Sequence, residues 1–215
     1  EKYRKRLAFD ELLKLETESS KRKHDWQNRG VAHKFIIDKS QISNFKSSLP
    51  FSLTNSQNTA IDEILADLEK PVAMNRLLEG DVGSGKTVVA AVACLAAWLN
   101  KKTVLFMAPT QILAQQHFDT LTKLLTPFGV NIGLMTSQTK TSGDVIVGTQ
   151  ALLTRDFDCG LIIIDEQHKF GVAQRALLQQ KGGTPHVLTM TATPIPRTMA
   201  LVLHGDLDLS QLTEM

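Results

Sequence analysis

The chain has 215 residues, 42% hydrophobic and 21% charged, a composition that excludes a disordered or fibrous protein and suits one large α/β unit with an appended segment. Mean hydropathy is -0.08, no window approaches about 18 uninterrupted apolar residues, and the start Glu1-Lys-Tyr-Arg-Lys-Arg-Leu7 lacks a signal peptide's apolar run, so neither a membrane span nor secretion is expected. The net charge of +2 is unevenly placed: residues 1–48 carry 12 Lys/Arg against 7 Asp/Glu, and residues 49–215 carry 12 against 15.

Leu7, Leu12, Leu13 and Leu15 predict a helix over about residues 7–20. The polar stretch from Ser19 to Arg29, with Gly30 beyond, reads as its end and a linker. The basic run Lys21-Arg-Lys-His24 either follows phosphates or is a solvated helix face, and Trp26 either stacks on a base or anchors the segment. Residues 1–48 are thus expected as a basic appendage to a main domain over residues 49–215. The chain opens without Met and stops at Thr213-Glu-Met215 with no closing element, which reads as a piece of a longer protein.

After Pro50, Thr54-Asn-Ser-Gln57 has the spacing of a capping box, and Ile61, Ile64, Leu65 and Leu68 follow at helical intervals, predicting a helix from about 55 to 69. Strands are then expected at Arg76–Leu78, Thr103–Met107, Val130–Met135, Val145–Val147, Leu161–Ile164 and Val187–Met190. Helices are expected at 86–100, 111–126, 172–181 and 196–203. Near-continuous apolar strands alternating with helices predict a mainly parallel sheet covered by helices on both faces. Cys94 and Cys159, 65 positions apart in apolar surroundings, suit a reduced core better than a disulfide or zinc site.

Gly80, Asp81, Val82, Gly83, Ser84, Gly85, Lys86 and Thr87 fit G-x-x-x-x-G-K-[ST] between a strand and an Ala/Val-rich helix. Glycines let the backbone wrap a polyphosphate, Lys86 reaches its β- and γ-phosphates, and Thr87 holds Mg²⁺; the expected cofactors are ATP and Mg²⁺. Further on, Leu161-Ile-Ile-Ile164 ends in Asp165-Glu-Gln-His168. Asp165 suits a Mg²⁺ ligand and Glu166 a group that aims the attacking water, whereas His168 alone reads as structural. Lys86, Asp165 and Glu166 are the catalytic candidates, and Thr87 and Asp165 the metal candidates.

Four strings, Gly80–Thr87, Ala108-Pro-Thr-Gln-Ile-Leu-Ala-Gln-Gln-His117, Asp165-Glu-Gln-His-Lys-Phe-Gly-Val172 and Thr191-Ala-Thr-Pro-Ile-Pro-Arg-Thr198, resemble the first motor lobe of superfamily 2 helicases, and most closely the RecG branched-DNA helicases. The resemblance runs from about Phe51 to Leu212. Leu7-Ala-Phe-Asp-Glu-Leu-Leu13 is similar to the linker helix before the RecG motor. The transcription-repair coupling translocase shares Phe-Gly-Val and Thr-Pro-Ile-Pro-Arg-Thr, but typically has Glu where this chain has Gln167. Gln111, Gln150 and Lys169 stand where RecG proteins usually have Glu, His and Arg.

The resemblance implies a RecA-like P-loop fold and an ATP-driven helicase that remodels forks and junctions in DNA repair and recombination. It implies that Gln57 reads the adenine edge, with Phe51 or a neighbour near the base, and that Pro109, Thr110, Gln111, Gly148, Thr149 and Gln150 lie against DNA. His168, Thr191 and Thr193 would couple nucleotide state to that surface. By residue type alone, Gln57 equally closes the capping box with Thr54, and Thr110, Thr149 and Thr193 equally serve as caps. The implied partners are branched DNA and, in the same protein, a second RecA-like lobe that supplies the charge-stabilising arginines and an N-terminal wedge domain. A monomer in the bacterial cytoplasm, at the nucleoid, is expected. The other readings of the residues are a nucleotide-binding module inactive on its own and a small P-loop kinase.

Overall fold

The computed structural model describes residues 33–154, 157–166, 184–192 and 207–214, together with Arg6, Leu13, Lys14, Thr17, Ser20, Lys21 and His24 near the start. Those seven early residues are all helical. Lys21 and His24 lie beyond the expected end near residue 20, so the polar stretch there still contains helix.

The first full element, α1 (Lys39–Ser48), was not foreseen. Asp38 caps it, its Oδ1 accepting from the backbone N–H of Ser40 (3.0 Å) and Gln41 (3.1 Å). Helix α2 (Asn55–Leu68) begins with the predicted capping box. There follow β1 (Asn75–Gly80), α3 (Lys86–Leu99), β2 (Thr103–Met107), α4 (Gln111–Leu125), β3 (Ile132–Met135), β4 (Val145–Gly148), β5 (Cys159–Asp165), β6 (His186–Thr191) and β7 (Asp208–Leu212). Each expected strand is present, β2 with the expected ends and the others with shifted ones, while β7 carries no strand signal because only Ser210 and Leu212 of its five residues are buried. The helices expected at 172–181 and 196–203 lie outside the described residues.

The seven strands form one sheet in the order β3-β4-β2-β5-β6-β1-β7, every pairing parallel. Strands β1, β4, β5 and β6 are buried along their whole length, as the continuous apolar runs required. One face carries Leu78, Val104, Phe106, Val147, Ile163 and Leu188 against α1 to α4; the other carries Leu105, Met107, Ile146, Ile162 and Val187 against Leu152 and Phe157. Phe35, Ile42 and Phe45 are 1%, 5% and 0% exposed in the first of these layers. The leading segment is therefore built into the same core from Phe35 onward. Because the strands are parallel, the segments after β1, β2, β4, β5 and β6 all emerge at one edge, where α/β sheets bind ligands.

Candidate active site at the carboxyl edge of the sheet

The loop after β1 turns back on itself through Gly83 and Gly85, both at φ +86°, a conformation that L side chains rarely adopt. Within it Ser84 N–H donates to Asp81 O (3.1 Å), and Val82 N–H to Asp81 Oδ1 (2.7 Å). Gly85 caps α3 with no side-chain bond, so the helix N-terminus faces the loop. Lys86 Nζ donates to the carbonyls of Gly80 (2.5 Å) and Asp81 (2.8 Å). Partial burial lowers the Lys86 pKa from the ordinary lysine value, against the raising influence of Asp165, Glu166 and Asp81. Thr87 is half-buried in the first turn of α3.

Gln57 is occupied at both ends of its amide. Its Oε1 accepts from Thr54 N–H (3.0 Å), completing the capping box, and its Nε2 donates to Ser84 O (2.9 Å) in the loop. Phe51, the other expected base neighbour, is 50% exposed.

Asp165 is the last residue of β5 and is buried; Glu166 follows at φ 52°. That conformation is uncommon for a residue with a side chain. It is held by Glu166 N–H donating to Met190 O (3.0 Å), while Glu166 Oε1 accepts from Ala192 N–H (3.2 Å). The two carboxylates thus have different anchors. Asp165 Oδ2 lies 2.7 Å from His117 Nε2 on α4. His117 stands in none of the sequence-predicted roles. The available signal was its place between Ala114 and Leu121 on the buried stripe of α4, where a polar ring needs a partner. Thr191 is buried at the end of β6, in register with Glu79 of β1. His168 and Thr193 lie outside the described residues.

Two further loops join this edge. Pro109, Thr110 and Gln111 follow β2, and Gly148 ends the neighbouring β4, with Thr149 and Gln150 after it. Ala108 N–H donates to Gly148 O (2.8 Å) and Thr149 N–H to Met135 O (3.2 Å). A side chain at 148 would collide with the Met135 carbonyl, so glycine is required. Thr110 caps α4, its Oγ1 accepting from Leu113 N–H (3.2 Å), and Gln111 Nε2 donates to Ser137 Oγ (2.6 Å) in the loop after β3. The capping reading of Thr110 is met. Gln111 and Gln150 are exposed.

The residues present fit Mg-ATP. Ser84 Oγ is buried and has no hydrogen-bond partner among the described residues. The glycine loop with positive φ and the N-terminus of α3 form an anion cradle, and the oxygen donors of Thr87 and Asp165 suit a hard cation that also uses phosphate oxygens.

The DEAD/DEAH box helicase family model matches residues 54–202, more than half of the chain. This chain belongs to that family. It is 44% identical, over 99% of its length, to the ATP-dependent DNA helicase RecG of Synechocystis sp., and 42% identical to that of Bacillus subtilis. It covers only 27% and 33% of those two proteins, so it spans a third or less of the curated relatives' length. Among solved structures, RecG bound to a three-way DNA junction superposes with a TM-score of 0.84 at 39% identity, covering 97% of this chain and 30% of that one. The UvsW helicase of bacteriophage T4, at 15% identity and a TM-score of 0.62, shares the fold. The expected RecG-type likeness and the RecA-like α/β architecture are both met. Use of a nucleotide is a property of the family. No described helix is long and apolar enough to cross a membrane.

Proposed function

We propose that residues 49–215 are the ATP-binding first motor lobe of a helicase that remodels branched DNA, and that residues 1–48 are its linker segment, seated through Phe35, Ile42 and Phe45. The observation that carries this reading is convergence. The cradle after β1, the acid pair at the end of β5 and the two loops at the ends of β2 and β4 share one edge of a parallel sheet. The junction-bound RecG structure supports branched DNA as the partner.

In this reading the amides of Gly83 to Lys86 and the Lys86 ammonium bind the β/γ-phosphates, and Thr87 and Asp165 would hold Mg²⁺, which neutralises charge on the phosphates. Glu166 orients the attacking water and accepts its proton, and its backbone is fixed at a separate point from that of Asp165. Gln57 keeps the loop in shape and reads the adenine edge. Pro109 to Gln111 and Gly148 to Gln150 rest against the DNA backbone, and Thr191, with His168 and Thr193, couples them to the nucleotide. Charge-stabilising arginines come from a second RecA-like lobe, and a wedge domain engages the junction. The protein works as a monomer in the bacterial cytoplasm, at the nucleoid.

The test uses the full-length protein, a fluorescent ATP analogue and phosphate release with forked DNA. Lys86→Ala loses nucleotide binding. Glu166→Gln keeps binding while turnover drops by about 10²–10⁴. Turnover equal to wild type in both variants would sink the assignment.

A further inference from the structure

We propose that His117 is a positioning residue that holds the Asp165 carboxylate in place for the metal; this rests on the nucleotide reading above. Ala114, Leu121 and Leu125 are fully buried on α4, and His117 lies on that same face with its side chain only 12% exposed. A polar ring in such a stripe is costly unless it is hydrogen-bonded. Its partner is the Asp165 oxygen at 2.7 Å, itself on a side chain 9% exposed. An ionised carboxylate can only accept, so Nε2 carries the hydrogen and donates to Oδ2. Phe106 of β2, fully buried, packs on the imidazole with ring centroids 4.6 Å apart at 42°, which restrains the ring.

Asp165 ends a strand, and its side chain keeps freedom about two torsions unless something fixes it. A donor on one oxygen sets the orientation of the group and leaves the other oxygen's lone pairs available. Partners of this kind are worth about 10- to 100-fold in metal affinity where they have been removed. His117 does this from α4, which starts at the Pro109–Gln111 loop. One hydrogen bond therefore joins the helix behind the proposed DNA loop to the proposed metal acid.

The experiment titrates Mg²⁺ into the full-length protein with a fluorescent ATP analogue and records the half-saturating Mg²⁺ for wild type, His117→Leu and His117→Gln. Binding without Mg²⁺ is measured alongside. His117→Leu should raise the half-saturating Mg²⁺ by at least about tenfold with metal-free binding unchanged. His117→Gln, whose amide N–H can reach a similar point, should recover most of the loss. A Mg²⁺ requirement in wild type that is unchanged in His117→Leu would overturn the inference alone. Loss of metal-free binding in both variants would overturn it too, since His117 would then be supporting the fold. Wild-type binding indifferent to Mg²⁺ would overturn the metal reading of Asp165 and this inference with it.

Discussion

Nε2 of Gln57 donates to the carbonyl oxygen of Ser84 at 2.9 Å, so the first turn of α2 is fastened to the glycine loop after β1 by a single amide. The same amide's oxygen closes the capping box on Thr54. Two variants test the two bonds. Gln57→Glu keeps the capping acceptor but sets a carboxylate oxygen against the Ser84 carbonyl on a buried side chain, so nucleotide affinity and thermal stability should both fall. Gln57→Ala removes both and should also cost about 0.5–2 kcal/mol of stability. Thermal denaturation and analogue binding, run in parallel, check the pair.

The basic leading segment calls for a cut chosen by the fold. Removing residues 1–48 would take Phe35, Ile42 and Phe45 out of the core, each side chain worth about 2–5 kcal/mol. Removing residues 1–32 spares them, spares the His33 carbonyl that bonds His186 Nε2 (2.7 Å), and deletes 9 Lys/Arg against 6 Asp/Glu. Affinity of residues 33–215 for forked DNA should fall below that of the 215-residue chain, and the slope of log affinity against log salt should flatten by about one unit for each phosphate no longer neutralised. An unchanged slope would make the segment a strut.

Arg76 of β1 joins the edge strand to α2. Its guanidinium meets Asp67 (2.8 Å), Glu63 (3.0 Å) and the Ser210 hydroxyl of β7 (2.8 Å), and Asp67 also accepts from Lys70 (2.6 Å). Arg76→Leu leaves the Asp67 carboxylate, 5% exposed, without its main partner and should destabilise by about 3–5 kcal/mol. Arg76→Leu combined with Asp67→Leu should recover part of that. Denaturant midpoints of the three proteins decide it.

His186, fully buried on β6, gives an acid sensitivity. Nδ1 accepts from Met74 N–H (3.0 Å), and Nε2 therefore donates to the His33 carbonyl. Burial lowers its pKa, opposed in part by the bond to His33, with the His33 ring lowering it and Asp67 raising it. The unfolded chain then binds the proton more readily than the folded one. The stabilising contribution is complete above the unfolded value, about pH 6.5, and is lost as pH falls below it. The melting temperature should decline between pH 7 and 5, and less steeply in His186→Gln.

Periodicity and spacing were enough to read off the α/β alternation, the capping box at Thr54, the glycine loop and the acid pair. Each of these is local: a helix or strand face repeats at a fixed interval, and a phosphate loop needs its glycines in one short run. Tertiary structure alone decided which strand ends lie side by side. The order β3-β4-β2-β5-β6-β1-β7 follows from crossovers that carry no local signal, and it brings Gly148 beside Met107 and Thr191 beside Glu79. The same holds for His117 and Asp165, 48 positions apart, and for Arg76 and Ser210, 134 apart. α1 and β7 escaped notice because their apolar positions are few, and they are held by Phe45 in the shared core and by Arg76, interactions that exist only once the sheet has formed.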